Sequence, residues 1–94
     1  MYKCLKITML VETVPNNFMK NHLQKKAVQL AIEGTAQSLK KENRIKMVIH
    51  GKKEAIENFI DYLHKKPGNL IVDDIEVEPF AKDRDYRGAF RIIE

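Results

Sequence analysis

Apolar and polar residues alternate from Lys3 to Glu12. Leu5, Ile7, Met9 and Val11 fall on one side, and Cys4, Lys6, Thr8, Leu10 and Glu12 on the other. A period of two over this length predicts a strand with one buried face. Pro15 breaks the pattern, and Asn16 or Asn17 can cap a helix. From Phe18 the period changes to three and four: Met19, Leu23, Ala27, Leu30 and Ala31 make a stripe, with Lys20, Gln24, Lys25 and Gln29 outside it. This predicts a helix over 18–32, ended at Glu33-Gly34 with Gly34 in the C-cap role.

Thr35 to Lys40 reads as a second strand. Lys41-Glu42-Asn43 is a polar turn in which Asn43 tolerates positive φ. Arg44 to His50 alternates again, with Ile45, Met47 and Ile49 inward. So short a link makes the two strands a hairpin, closed by Gly51. Ala55, Ile56, Phe59, Ile60 and Leu63 then form a continuous apolar face, which predicts a helix over 53–65. His64, Lys65 and Lys66 suit the negative end of its dipole, and Pro67-Gly68 stops it. Leu70 to Pro79 reads as a strand whose alternation slips at Asp73-Asp74, the mark of a bulge. A charged loop, Phe80 to Arg87, leads to a last short strand over Gly88–Glu94 with Phe90 and Ile92 inward. The order βαββαβ, with that short extra strand, predicts a ferredoxin-like α+β sandwich. Its antiparallel sheet of four to five strands carries both helices on one face.

Length and charge add limits. Ninety-four residues make one domain with one core, residues 1–94. No apolar run reaches membrane-spanning length, and the start lacks a signal-peptide core, so a cytoplasmic location is expected and no membrane. The single Cys4 agrees, as a small strand residue. Net charge is +4, split as 13 Lys/Arg against 6 Asp/Glu over residues 1–66 and 4 against 7 over 67–94. No basic cluster is dense or interleaved with aromatics, so nucleic acid is not an expected partner. The three histidines, His22, His50 and His64, share no metal-ligand spacing, and the Asp73–Glu78 carboxylates read as strand charge. No metal or cofactor is expected. Lys6, Lys46, His50 and Arg91 should share the open sheet face with Cys4, Leu10, Val48 and Ile93. An acidic protein partner could dock on such a face.

The fold implies no function by itself. An RNA-recognition module would carry stacking aromatics on its first and third strands, and Arg44–His50 has none. A metal-chaperone domain would carry a Cys pair in the first loop, which has no Cys. Several motifs fit another family in order and spacing. They are Gly34 before the second strand, Gly51 with Ala55-Ile56-Glu57-Asn58-Phe59, and Lys66-Pro67-Gly68 ahead of Val72-Asp73-Asp74-Ile75-Glu76-Val77. Phe90-Arg91-Ile92 completes the set near the end. On these the chain resembles the acylphosphatase family over nearly its whole length.

That resemblance implies cofactor-free hydrolysis of carboxyl-phosphate anhydrides. A glycine-rich first loop, approximately Gly-x-Val-Gln-Gly-Val-Gly-Phe-Arg, would hold the phosphate, and its arginine would neutralise charge. An asparagine in Gly-Trp-Val-x-Asn-Leu would orient water. Aligning Phe18 with the motif phenylalanine puts Met19 at the arginine, and counting from Gly34 puts Ser38 at the asparagine. Both catalytic side chains are replaced. The anion-binding loop falls on Val14, Pro15, Asn16, Asn17 and Phe18, where phosphate or another anion could bind a helix start. Pro15 removes one N–H from it. Lys20 substitutes for the arginine only if the loop slips by one, since it points about 100° from Met19 on an ideal helix. Gln37 substitutes for the asparagine only if the strand slips as well. The sequence therefore predicts an acylphosphatase-like domain that has lost acyl-phosphate hydrolysis and acts as a non-catalytic binding or regulatory module. The alternative is a weak or altered acylphosphatase using Lys20, Ser38 or backbone donors.

Overall fold

In the computed structural model, which describes residues 1–82 and 84–93, the alternating runs form one five-stranded sheet. The strands are β1 (Tyr2–Val11), β2 (Glu33–Leu39), β3 (Arg44–Lys52), β4 (Val72–Pro79) and β5 (Phe90–Ile93), in the order β4-β1-β3-β2-β5. The neighbours β1–β3, β1–β4 and β2–β3 are antiparallel, but β5 runs parallel to β2. The sheet is thus mixed. Of the loop over Phe80–Arg87 and the last strand, Asp83 and Glu94 lie outside the described residues. The expected bulge is present: Leu10 faces Asp74 and Val11 faces Val72, leaving Asp73 as the extra residue.

One face of the sheet is covered. Ile7, Met9, Val11, Ile45, Met47, Ile49 and Ala36 are buried against Leu23 and Ala27 of one helix and Ile56, Phe59 and Leu63 of the other. Phe59 and Phe90 meet with ring centroids 6.3 Å apart, which ties the second helix to the edge strand. That helix, α2 (Lys53–His64), follows its predicted stripe. The first helix, α1, opens as a π-helical segment, Met19–Gln24, and continues as α-helix, Lys25–Gln29. The wider π turn lets Phe18, Leu23 and Ala27 all reach the core.

Both ends of α1 differ from expectation. Gly34 is not its C-cap; Ala31 is the left-handed residue, with φ 57°. Ile32 N–H donates to the Ala27 carbonyl (2.8 Å) and Ala31 N–H to that of Val28 (3.1 Å), the two bonds of a Schellman ending. Gly34 sits inside β2, where an added Cβ would lie 1.8 Å from the Val48 carbonyl oxygen. Glycine is needed there for close approach of two strands. The caps were also expected differently at the other end. Asn17 contributes a left-handed backbone, φ 60°, and no side-chain cap bond forms.

The open face carries both signs of charge. Register opposes Lys6 to Glu78, Thr8 to Glu76 and Leu10 to Asp74, so the β4 carboxylates stand beside the lysines of that face. Lys6 Nζ lies 3.9 Å from Glu78 Oε1. Among the described residues no helix is long and apolar enough to cross a membrane.

Candidate functional site

Three segments converge at one end of the sheet. The first loop leaves β1 after Val11. The β2–β3 turn (Lys40–Glu42, then Asn43 at φ 54°) lies beside it, because Leu10 and Leu39 both pair with Arg44. The end of β5 arrives there too, since its parallel register sets Ile93 opposite Gln37. Val11 N–H donates to the Asn43 carbonyl (2.8 Å) and Glu12 N–H to the Ile71 carbonyl (3.1 Å), anchoring the loop at its start.

Within the loop, Phe18 N–H donates to the Pro15 carbonyl across 3.1 Å. This closes a β-turn with Asn17 in the left-handed position. That N–H is engaged and Pro15 has none, so two backbone donors are missing from any anion cradle here. The Phe18 side chain, 1% exposed, fixes the loop to the core. It packs on His22 with ring centroids 5.3 Å apart. His22 Nδ1 lies 3.3 Å from the Tyr62 hydroxyl, and Gln24 Nε2 donates to the Phe90 carbonyl at 2.9 Å. Burial pushes the Tyr62 phenol upward from its ordinary pKa. The helix start behind the loop is therefore held to both α2 and β5.

Between these segments lies a cavity of about 780 Å³. Val14, Pro15, Asn16, Asn17 and Phe18 line it from the loop, with Met19 and Lys20 from the helix start and Ser38 from β2. These residues, singled out from sequence, are brought together. Gln37 is not among them; it pairs with Lys46 and Ile93 on the opposite face of the sheet. The cavity also takes Leu39 from β2, Lys40, Lys41 and Glu42 from the turn, and Ile92 and Ile93 from β5, none of them placed there by the sequence pattern. Lys40-Lys41 could have been found by noting that a β2–β3 turn shares its end of the sheet with the exit of β1.

The chemistry of the lining is uneven. Met19 is a half-buried thioether that cannot donate a hydrogen bond. Ser38 Oγ is shielded from solvent and has no hydrogen-bond partner among the described residues. Lys20, Lys40 and Lys41 are exposed, so the positive charge stands at the rim. Among the described residues no group of three or more His, Cys, Asp or Glu is placed to hold a metal ion.

A second charged cluster lies at the far end of β3 and holds the chain rather than the cavity. Glu33 Oε1 accepts from Lys82 Nζ (2.9 Å) and His50 Nδ1 (2.8 Å), and Oε2 from Gly88 N–H (2.7 Å). The Lys82 ammonium, with Gly88 and His50, holds the Glu33 carboxyl below its ordinary pKa against the opposing effect of burial. Glu33 in turn raises that of Lys82. Tyr2 stacks on His50 at 5.5 Å.

The acylphosphatase family profile matches residues 13–92. An acylphosphatase from Thermus thermophilus is 38% identical over 55 residues, which are 58% of this chain and 61% of that protein. The match thus spans about three fifths of the relative's length. The acylphosphatase structure from Coxiella burnetii superposes with a TM-score of 0.83 at 23% identity, covering 98% of this chain and 93% of that one. The acylphosphatase from Bacillus subtilis gives 0.82 at 17% identity, covering 100% of both chains. At such identities the two structures establish a shared fold.

Proposed function

The chain belongs to the acylphosphatase family, and we propose that it is a member without acyl-phosphate hydrolysis, acting as a non-catalytic binding module. The side chain at position 19 carries this reading. Family alignment asks for an arginine there, and the cavity wall offers the Met19 thioether. A bidentate guanidinium fits a phosphate with fixed donors, and a thioether supplies none. Removing one donor from developing negative charge costs about 100- to 1,000-fold in rate. Ser38 supports the same reading. Its hydroxyl is screened from solvent where the family asparagine would orient water. The engaged Phe18 N–H and the absent Pro15 N–H weaken the loop as a phosphate cradle.

The test is benzoyl phosphate hydrolysis by the full chain and by a Met19→Arg/Ser38→Asn double variant. No turnover by the wild type is expected, with turnover gained by the variant. Wild-type turnover that the variant does not exceed contradicts the reading.

One observation favours the enzymatic alternative: Lys20, Lys40 and Lys41 stand around the cavity. Lysine is a point charge on a flexible stem and can neutralise phosphate without fixing it. That alternative requires wild-type turnover that falls when Lys20 or Ser38 becomes alanine.

A further inference from the structure

The cavity divides into an apolar interior and a cationic rim. Met19, Leu39 and Ile92 offer half-buried hydrocarbon or thioether surface on three different elements. Lys20, Lys40 and Lys41 stand exposed on the same lining, where Glu42 is the one acidic side chain among the described residues. A volume of about 780 Å³ suits a small organic molecule. A second cavity, beside Tyr62, is smaller, about 260 Å³, and mixes Lys26 and Lys65 with Asp61 and Asn58.

A compact dianion such as phosphate fits this arrangement poorly. It needs several fixed donors converging in a dry place. Here the lysines are exposed, Phe18 N–H is engaged and the Ser38 hydroxyl is screened. A monoanion with a hydrocarbon body fits better. Its body removes the apolar wall from water, while its head stays hydrated at the rim near the ammonium groups.

We propose that this cavity binds a small amphiphilic monocarboxylate, its body against Met19, Leu39 and Ile92 and its head among Lys20, Lys40 and Lys41. The proposal rests on the non-catalytic reading, since it names the ligand class of the same site. The hydrophobic contact sets the affinity, and the lysines select the head. Each methylene added to the body strengthens binding about fourfold while the wall can still cover it. The rim charge contributes less, because exposed ion pairs are weak and screened by salt.

The experiment titrates the full chain with octanoate, hexanoate, acetate, octan-1-ol and inorganic phosphate, followed by calorimetry and by backbone amide shifts. Octanoate is expected to move the amides of Met19, Leu39 and Ile92 and to bind about 15-fold more tightly than hexanoate. Acetate and phosphate should leave those amides in place. A Lys20→Gln/Lys40→Gln/Lys41→Gln variant should weaken octanoate about tenfold at low salt and leave octan-1-ol unchanged. The proposal is overturned if octanoate leaves those amides unmoved, if phosphate displaces it at equal concentration, or if octan-1-ol binds the wild type equally well. Benzoyl phosphate turnover in the same samples separates the two claims. Octanoate bound with turnover refutes the non-catalytic reading alone, and neither binding nor turnover refutes the ligand class alone.

Discussion

Phe18 donates its backbone N–H to the carbonyl of Pro15 across 3.1 Å, so the loop closes on itself before the first helix starts. With that N–H engaged and none on Pro15, the loop has two fewer backbone donors to offer an anion. Inorganic phosphate at 10 mM is therefore expected to leave the thermal midpoint unchanged. A ligand whose Kd equals its concentration stabilises by only about 0.4 kcal/mol, so a rise of several degrees would reveal a phosphate site and contradict the loss of donors from this loop. Differential scanning fluorimetry at constant ionic strength decides it.

Ala31 occupies a left-handed conformation at φ 57° and ends the first helix. A residue with a Cβ costs about 1–2 kcal/mol there, and glycine gives back part of that gain through its freer unfolded chain. Ala31→Gly is expected to stabilise the fold by about 0.5–1 kcal/mol, or about 2–8 °C in Tm for a domain of this size. Most helix changes to glycine destabilise, so the sign of the shift is diagnostic.

Gly34 is the opposite case. A Cβ there would overlap the Val48 carbonyl oxygen at 1.8 Å, and φ is +145°. Neither strand can move away without breaking the β2–β3 pairing. Gly34→Ala is expected to cost more than about 4 kcal/mol, among the largest single-residue effects. Urea unfolding or the soluble yield of the variant measures it. A near-wild-type midpoint would refute the close approach.

Glu33 holds three donors, and its pKa is lowered chiefly by Lys82. A carboxyl lowered in the folded state stabilises the fold above its ordinary unfolded value. That stabilisation is lost as pH falls below this value, through the lowered folded one. Glu33→Gln is expected to cost about 0.5–1 kcal/mol at neutral pH, the scale of a solvent-screened pair, and to match the wild type at strongly acidic pH. Midpoints of urea unfolding across that range test the sign; a difference that widens on acidification would contradict it.

Much of the fold was legible because it is written locally. Alternation gave β1 and β3, the three-and-four stripe gave α2, and Asn43 and the slip at Asp73-Asp74 marked a left-handed turn and a bulge. What escaped depends on partners distant in the chain. Gly34 read as a helix cap because its neighbour in space, Val48, is 14 residues away in sequence. The parallel pairing of β5 with β2 leaves no local pattern. The site was half legible. Motif spacing placed Met19 and Ser38 together, but Lys40, Lys41 and Ile92 joined them only through the topology.

Whether this acylphosphatase scaffold has shed its chemistry is decided by the initial rate of benzoyl phosphate hydrolysis by the purified wild-type chain over buffer. Loss of hydrolysis predicts no enzyme-dependent rate at neutral pH. Turnover proportional to protein concentration and abolished by Ser38→Ala or Lys20→Ala would contradict it, and would place catalysis in the cavity proposed as a binding site.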